Sequence, residues 1–349
     1  MEHRINSLRP RLWKIALATL CAATFSRPGL SQAPPPTILR IDTVNAVVYF
    51  EDTGDVSKYG TDSGMTTPSI SRRAFIHQFG IADIQTVNGQ PVMGLHTRVG
   101  KSLYSSPAPP AGNAIADTSR AASLEIRFEI LKSDGTPIGT IMASGLFAGA
   151  SPPGAPSGTA ANFVVTGGTG AFLGARGQVG AVPPTATVSG APAPQRDASV
   201  TENPANRRLN GGGAQQWVIH LIPMQRPEIV TGPAGPAITH SSDFSVVSTS
   251  KPAAAGEILS LFASGLGPVK PGVNPGQPFP SSPPANVNSP IEVSVNGKPA
   301  EVLSAVGYPG AVDGYQVNFR VPPDTAKGLA TIQVSAAWIA GSPVSIPVQ

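Results

Sequence analysis

Glycine and proline set the tightest limit on what this chain can fold into. They number 38 each among 349 residues, and they interrupt every long segment that would otherwise keep helical spacing. Proline removes a backbone donor, and glycine costs conformational entropy, so neither is well tolerated inside a helix. The runs between them are short, apolar and rich in β-branched residues. This pattern predicts an all-β fold built from short strands.

The period of a half-buried strand is clearest in the segment 124–130. Its residues alternate strictly between apolar and charged, which places one face in a core and the other in water. Two Asn-Gly pairs, Asn88-Gly89 and Asn296-Gly297, stand between such runs. Asn-Gly favours the two-residue hairpin turn, so both pairs predict antiparallel neighbours.

The length of the chain favours two domains. We predict a β-barrel domain over residues 34–225, a linker rich in proline and glycine over 226–242, and a second domain over 243–349. The second domain has short strands separated by turn signals, which is typical of an immunoglobulin-like β-sandwich. A linker of this composition implies that the two domains fold independently.

Residues 1–33 have the pattern of a secretory signal peptide. A basic leader is followed by the uncharged, largely apolar run 15–25, and small residues precede a cleavage point near Ala33. The apolar run is shorter than the roughly 20 residues that span a bilayer. We therefore expect the protein to be secreted or held in the cell envelope. A lipoprotein signal through Cys21 is disfavoured, because Leu20 is too large to precede a lipidated cysteine.

Removal of this segment changes the charge of the protein. Five basic residues and one acid leave with it, so the formal net charge of +4 falls to about zero. A chain with no net charge lacks the excess of positive charge that binds phosphate backbones, so nucleic acid is not an expected partner. Cys21, the only cysteine, leaves too. The mature protein then has no disulfide and must be stabilised by apolar burial.

The segment 164–177 contains the most specific motif, Val-Val-Thr-Gly-Gly-Thr-Gly-Ala-Phe-Leu-Gly-Ala-Arg-Gly. Its glycines suggest a dinucleotide-binding loop, but the interval from Gly170 to Gly174 is one residue too long for that fingerprint. A helix must also follow such a loop, and Gly177, Gly180 and two prolines oppose one. We therefore predict no nicotinamide cofactor.

The same segment closely resembles the Gly-Gly-Thr-Gly-x-Phe-x-x-Ala-Arg-Gly signature of dirigent proteins and their allene-oxide-cyclase-like relatives. Two further segments resemble those proteins more weakly, Tyr-Phe-Glu-Asp at 49–52 and Ala-Ser-Gly-Leu-Phe at 143–147. The resemblance implies an eight-stranded antiparallel barrel with a ligand cavity. It also implies structural turn roles for Gly167, Gly168, Gly170, Gly174 and Gly177.

Two residues of the barrel domain are candidates for ligand contact under this resemblance. Asp52 matches the dirigent aspartate that handles protons on an intermediate, and Tyr49 lies three residues before it. Asp52 also begins the sequence Asp-Thr-Gly-Asp, which is ordinary turn chemistry. Both the catalytic interpretation of Asp52 and the turn interpretation stay open at this point.

The second domain resembles another family. The segments 256–268, 295–300 and 315–322 are similar to the uncharacterised C-terminal domain of many secreted acidobacterial proteins, which is itself similar to immunoglobulin-like folds. That resemblance covers most of residues 250–349. It implies a surface or adhesive accessory module.

No catalytic constellation is evident in the sequence. The mature histidines are widely spaced, so no metal site is expected, and no Gly-x-Ser-x-Gly elbow is present. We expect an exported binding or surface-interaction protein whose partner is a small hydrophobic ligand or a cell-surface component. The alternatives are a barrel that steers or isomerises a small hydrophobic molecule, and a purely structural adhesive protein.

Overall fold

The computed structural model describes residues 36–52, 75–103, 121–147, 155–182, 195–197 and 212–349. The expected signal peptide lies outside these ranges. Every regular element within them is a β-strand, so the all-β prediction is confirmed. No helix of the described ranges is long and apolar enough to cross a membrane.

Ten strands form the N-terminal sheet, and eight of them close it into a barrel. In chain order they are β1 (Thr37–Asp52), β2 (Phe75–Val87), β3 (Gln90–Pro91), β4 (Met93–Leu103), β5 (Ala121–Leu131), β6 (Pro137–Phe147), β7 (Ala160–Gly170), β8 (Arg176–Val182), β9 (Gln195–Asp197) and β10 (Gly213–Ile222). The hydrogen-bonded order of the barrel is β1-β2-β4-β5-β6-β7-β8-β10, and β10 pairs with β1 again. All eight pairings are antiparallel, which confirms the predicted antiparallel barrel.

The two Asn-Gly hairpins form as expected. Asn88 and Gly89 have φ angles of 50° and 78°, and the second pair has angles of 51° and 76°. A turn with two positive φ angles matches the right-handed twist of paired strands, which is why Asn-Gly is favoured there. Asn88 also ties its turn to β1, since its side-chain oxygen accepts a hydrogen bond from the backbone of Arg40.

The inner face of the barrel is filled with apolar side chains toward one end. On β5 the residues that alternate inward are fully buried, while their charged neighbours face water. Phe172, from the turn between β7 and β8, is 1% exposed and belongs to the same core. The larger members of this core are Leu39, Ile41, Leu124, Ile126, Phe128, Ile130, Ile141, Phe163, Phe172, Trp217, Ile219 and Leu221.

The two ends of the barrel differ in their connections. At one end, here called the turn end, the strands are joined by the short segments 88–92, 132–136 and 171–175. At the other, the loop end, β1 stops at Asp52, β2 begins at Phe75, and β4 stops at Leu103. Much of the chain that joins strands at the loop end lies outside the described residues.

Thirteen further strands follow the barrel. They are β11 (Glu228–Ile229), β12 (Thr231–Gly232), β13 (Gly235–Pro236), β14 (Ile238–His240), β15 (Ile258–Ser264), β16 (Val269–Lys270), β17 (Asn286–Val287), β18 (Ile291–Val295), β19 (Lys298–Gly307), β20 (Tyr315–Arg320), β21 (Gly328–Ala336), β22 (Ile339–Ala340) and β23 (Val344–Val348). A sandwich would have two separate sheets. Here β18 pairs with both β19 and β21 and so connects eleven strands into one continuous sheet.

The segment expected as a linker, 226–242, contributes short strands to this second sheet. Both β11 and β14 pair with β15. Ile229 and Ile238 are buried in the core of this region. The glycines and prolines that suggested a linker lie largely in the small β12–β13 hairpin and at strand ends, because turn residues punctuate short strands as well as linkers.

A hairpin of the C-terminal region packs against the turn end of the barrel. Ala337 and Trp338, which join β21 to β22, have φ angles of 48° and 62°. Ala337 and Ile339 are buried in the core of the barrel. The indole Nε1 of Trp338 donates a hydrogen bond of 2.8 Å to the side-chain oxygen of Gln90. The turn therefore holds two residues in a conformation that is unfavourable for them, at a point where they contact the barrel.

We expect Trp338→Phe to lower the free energy of unfolding by at least about 1 kcal/mol, the typical worth of one hydrogen bond. An aromatic ring is kept, but phenylalanine has no N–H and is smaller than tryptophan, so the bond to Gln90 is lost together with part of the packing against the barrel core. Denaturant unfolding of the variant measures this loss. The same substitution made in a Gln90→Leu background should cost about 1 kcal/mol less, because only the packing is then lost. An equal loss in both backgrounds would contradict the assigned contact.

Candidate functional site

Three polar residues, Gln78, His96 and Arg98, lie on the inner face of the barrel and are here called the inner polar strip. Their positions follow from strand register, since directly paired residues lie on the same face of a sheet. His96 pairs with the core residue Phe128, and Arg98 pairs with the core residue Ile126. Gln78, on β2, alternates inward and is 5% exposed. The strip runs from the middle of β4 toward the loop end.

Glycine makes room for Arg98 inside the barrel. Gly80 pairs with Arg98 across β2 and β4. A Cβ atom at Gly80 would lie 2.5 Å from Cγ of Arg98 and 2.6 Å from its Nε, so no larger residue fits there without moving the arginine. The side chain of Arg98 therefore lies flat over the backbone of Gly80. This contact holds the arginine over the inner surface of the sheet.

His96 is the most deeply buried member of the strip. Its ring is 4.6 Å from the ring of Phe128 and nearly parallel to it, and 4.7 Å from the ring of Trp217. Burial, and after it the positive charge of Arg98, lowers the pKa of His96 to about 3. The imidazole is therefore neutral at physiological pH. Because Nδ1 lies 3.1 Å from the carbonyl oxygen of Arg127, we assign the proton to Nδ1.

This tautomer leaves Nε2 of His96 as a hydrogen-bond acceptor. Within the described residues neither Nε2 nor the indole Nε1 of Trp217 has a hydrogen-bond partner. The indole N–H can only donate, and Nε2 can only accept. Each such buried group costs about 1–3 kcal/mol. The apolar core thus contains one unpaired donor, the indole N–H of Trp217, and one unpaired acceptor, Nε2 of His96. Their rings are in contact, at the inner end of the polar strip.

Tyr49 and Asp52, the residues that the sequence suggested for ligand contact, both lie on β1. Tyr49 pairs with Phe79, whose side chain is 43% exposed, so the register puts Tyr49 on the outer face of the barrel. Asp52 ends β1 at the loop end and pairs with Ile76 through its backbone. The Asp52 side chain lies outside what the structure describes. The structure does not bring Tyr49 together with the inner polar strip.

The glycine-rich segment runs from β7 through a tight turn into β8. Gly170, Gly174 and Gly177 have φ angles of 61°, 69° and 141°, in the region that favours glycine. Gly168 has no such angle, but a Cβ there would lie 2.3 Å from the carbonyl oxygen of Phe172. Gly167 is uncrowded. Strand β8 begins directly after this turn, where a dinucleotide-binding loop would need a helix.

The inner polar strip was not predicted from the sequence. On β4 the inward positions read Gly94, His96, Arg98 and Gly100, whereas the outward positions include the apolar Leu95 and Val99, which pair with Glu129 and Glu125. Alternation alone would therefore assign the apolar positions of β4 to the interior, which is the wrong face. Only the pairing of β4 with the strongly alternating β5 assigns these residues to the interior.

Comparison with known proteins adds no assignment to this site: no family model and no curated protein matches the chain. Within the described ranges, no group of three or more His, Cys, Asp and Glu side chains is arranged to hold a metal ion. The chemistry of the barrel interior must therefore be argued from its own geometry.

Proposed function

We propose that this protein is an exported binding protein whose barrel takes one small, largely apolar ligand through the loop end. The observation that carries the proposal is the inner polar strip of Gln78, His96 and Arg98 in an interior that is otherwise mainly apolar. An eight-stranded barrel encloses about enough space for one small ligand. Ligand sites are mostly apolar with a few polar groups that fix orientation, and the strip has this composition.

Stability alone does not account for the strip. Burying the unpaired Nε2 of His96 is costly, and an apolar residue of similar volume would pack this interior at least as well. Polar groups that a core retains against this cost are expected at functional sites. The apolar turn end, plugged by Phe172, would form the floor of the site, and the strip would line the wall toward the loop end.

Binding is favoured over acid–base catalysis by the state of His96. A general base works best with a pKa near the operating pH, whereas the pKa of His96 is about 3. A dirigent- or cyclase-like activity remains the second candidate, supported by the resemblance of the segment 164–177 and by the position of Asp52 at the loop end. A purely structural barrel is the third candidate, supported by the filled turn end.

Export and an accessory role for the C-terminal region belong to the same proposal. The leader 1–33 supports passage across a membrane. The resemblance of residues 250–349 to an immunoglobulin-like module supports attachment to a surface or to other proteins. The C-terminal region packs against the turn end, and the proposal has the ligand enter at the opposite end of the barrel.

A neutral aromatic probe tests the binding function. Residues 34–349 would be titrated with 2-naphthol while amide shifts are followed by NMR. We expect saturable shifts that cluster on the inner-facing residues of β2, β4 and β5. Outward residues such as Phe79 and Val164 serve as the internal control and should shift little. Non-saturable binding, or shifts confined to outward residues, would count against a ligand site in the barrel.

A further inference from the structure

We propose that a groove in the C-terminal region binds a lysine side chain of an extended segment of a partner protein. The groove lies beside β18, and its polar lining consists of Glu292, Ser294, Gln333 and Ser335, here called the polar square. The inference rests on the accessory role proposed for the C-terminal region and is independent of the barrel ligand. The shape of the groove, its hydrogen-bonding groups and its charge each favour this occupant.

The groove opens where two paired strands separate. β18 pairs with β19 through only three residue pairs, and from Glu301 onward β19 pairs with β20 instead. The space between the strands has a volume of about 400 Å³, within the roughly 300–1,000 Å³ range of ligand pockets. Pro299, Ala300 and Val302 line one side of this space. They offer an apolar surface to the methylene groups of a long side chain.

The polar square places four hydrogen-bonding side chains on one face of the sheet. Glu292 pairs with Ser335 across β18 and β21, and Ser294 pairs with Gln333. Directly paired residues share a face, and their Cβ atoms are roughly 4.5–5.5 Å apart. The four side chains therefore lie side by side along the groove. A single polar group that enters the groove can contact more than one of them.

Two members of the polar square are held by further hydrogen bonds. The side-chain nitrogen of Gln333 donates a hydrogen bond of 2.8 Å to the carbonyl oxygen of Gly341, which leaves its amide oxygen as an acceptor. Oε1 of Glu292 accepts a hydrogen bond from Gln90, and Gln90 accepts one from Trp338. A carboxylate, an amide oxygen and two hydroxyl groups thus line the groove, and all of them can accept hydrogen bonds.

The charge of the groove favours a cation. Of the described residues that line it, only Glu292 is charged. The cations on the adjoining strands are already paired, since Lys298 forms an ion pair with Asp324 and Arg320 forms one with Glu301. A ligand with one positive charge and several donors therefore complements the groove, whereas a carboxylate or a phosphate would be repelled by Glu292.

The bond from Gln90 favours lysine over arginine as the source of this charge. A guanidinium binds a carboxylate best through both carboxylate oxygens, and Oε1 of Glu292 is already bonded to Gln90. An ammonium group is a compact charge with three donors that can rotate. It can bind the other oxygen of Glu292 and donate to Gln333 or to a serine from one position. Its flexible four-carbon stem suits the apolar side of the groove.

The strand edge beside the groove favours a peptide over a free amine. On the β19 side, Ile291 and Glu292 have no strand partner within the described chain. An exposed strand edge can pair with the backbone of an extended segment, while pockets beside the edge take its side chains. The edge and the polar square adjoin each other on β18. One segment can therefore use both.

Two tripeptides that differ only in charge test this inference. Residues 34–349, labelled with ¹⁵N, would be titrated with acetyl-Val-Lys-Val-amide and with the same peptide acetylated on the lysine Nζ. We expect the charged peptide to give saturable amide shifts on β18 and β21. The acetylated peptide should bind at least about fivefold more weakly, because it lacks the charge that pairs with Glu292. This comparison uses the unmodified protein and needs no variant to fold.

Glu292→Gln and Glu301→Gln form a matched pair of variants. Glu292→Gln should weaken binding of the charged peptide about fivefold and leave that of the acetylated peptide within about twofold. Glu301 is also an exposed acid on a neighbouring strand, but it is paired with Arg320 and does not line the groove. Glu301→Gln should bind both peptides as the unmodified protein does.

The outcomes separate the parts of the inference. Equal affinity for the two peptides, or an unchanged affinity in Glu292→Gln, would overturn the ammonium site. Tighter binding of acetyl-Val-Arg-Val-amide would overturn the choice of lysine. Butylammonium that binds as tightly as the charged peptide would overturn the partner protein in favour of a free amine. If neither peptide binds while 2-naphthol still binds in the barrel, the groove is not a site and the proposed barrel function stands.

Discussion

Acidification from about pH 7 to about pH 4 should lower the free energy of unfolding by about 3 kcal/mol through His96 alone. The pKa of His96 is about 3 in the folded protein and 6.5 in an unfolded chain. Below about pH 6.5 the unfolded chain therefore binds a proton that the folded protein does not. The contribution of the neutral His96 to the free energy of unfolding is fully present above that pH. It is lost progressively as the pH falls toward 3, because the unfolded chain takes up the proton.

The effect is isolated by comparing two variants. His96→Gln removes the titrating group, so its urea-unfolding free energy should fall less between the two pH values than that of the unmodified protein. His220→Gln is the control, because His220 lies on the outer-facing side of β10, next to the buried Ile219. It should keep the full pH dependence. If His96→Gln and the unmodified protein lose the same stability on acidification, the burial of a neutral His96 is incorrect.

Much of the fold follows from local sequence because each strand carries its own signal. Leu124–Ile130 alternates, Asn88-Gly89 closes a hairpin, and both features require only the residues that form them. Barrel closure is different, since it depends on β1 pairing with both β2 and β10, which are far apart in the chain. For this feature the resemblance of the segment 164–177 was needed.

The functional candidates were harder to predict for a physical reason. Histidine and arginine are residue types that usually lie on the surface, and the outward positions of β4 include the apolar Leu95 and Val99. The inward position of His96 and Arg98 is decided by β5 and by the absence of a side chain at Gly80, neither of which is local to them. Tyr49 and Asp52 stood out because they match a motif. The register places Tyr49 on the other face of the sheet.

The contact between the C-terminal hairpin and the barrel illustrates the same limit. Residues with positive φ in a two-residue turn are ordinarily Asn and Gly, so nothing in Ala337-Trp338 signals such a turn. The conformation is stabilised by burial of Ala337 in the barrel core and by the bond from Trp338 to Gln90. Tertiary contacts have here outweighed local preference, and a linker-based expectation of independent domains does not anticipate them.

The glycines of the segment 164–177 differ widely in how much a side chain would cost, which makes them a test of the barrel turn. Gly177 has a φ of 141°, and a Cβ there would lie 1.9 Å from the carbonyl oxygen of His220. That oxygen belongs to β10, which pairs with β8 throughout this stretch. Neither strand can move away without breaking the ladder. Gly167, in the same motif, has nothing within 4 Å of such an atom.

Gly177→Ala should therefore lower the free energy of unfolding by about 4 kcal/mol, the sum of a steric overlap and an unfavourable backbone angle. Gly167→Ala should change it by less than about 0.5 kcal/mol, as expected for an uncrowded position. Thermal melting of both variants, with and without NAD, measures the difference. Because the segment leads into a strand, NAD should change neither value. If Gly177→Ala has the same melting temperature as Gly167→Ala, the steric role of Gly177 in the turn is wrong. If NAD raises the melting temperature of the unmodified protein, these glycines serve a cofactor and not the turn.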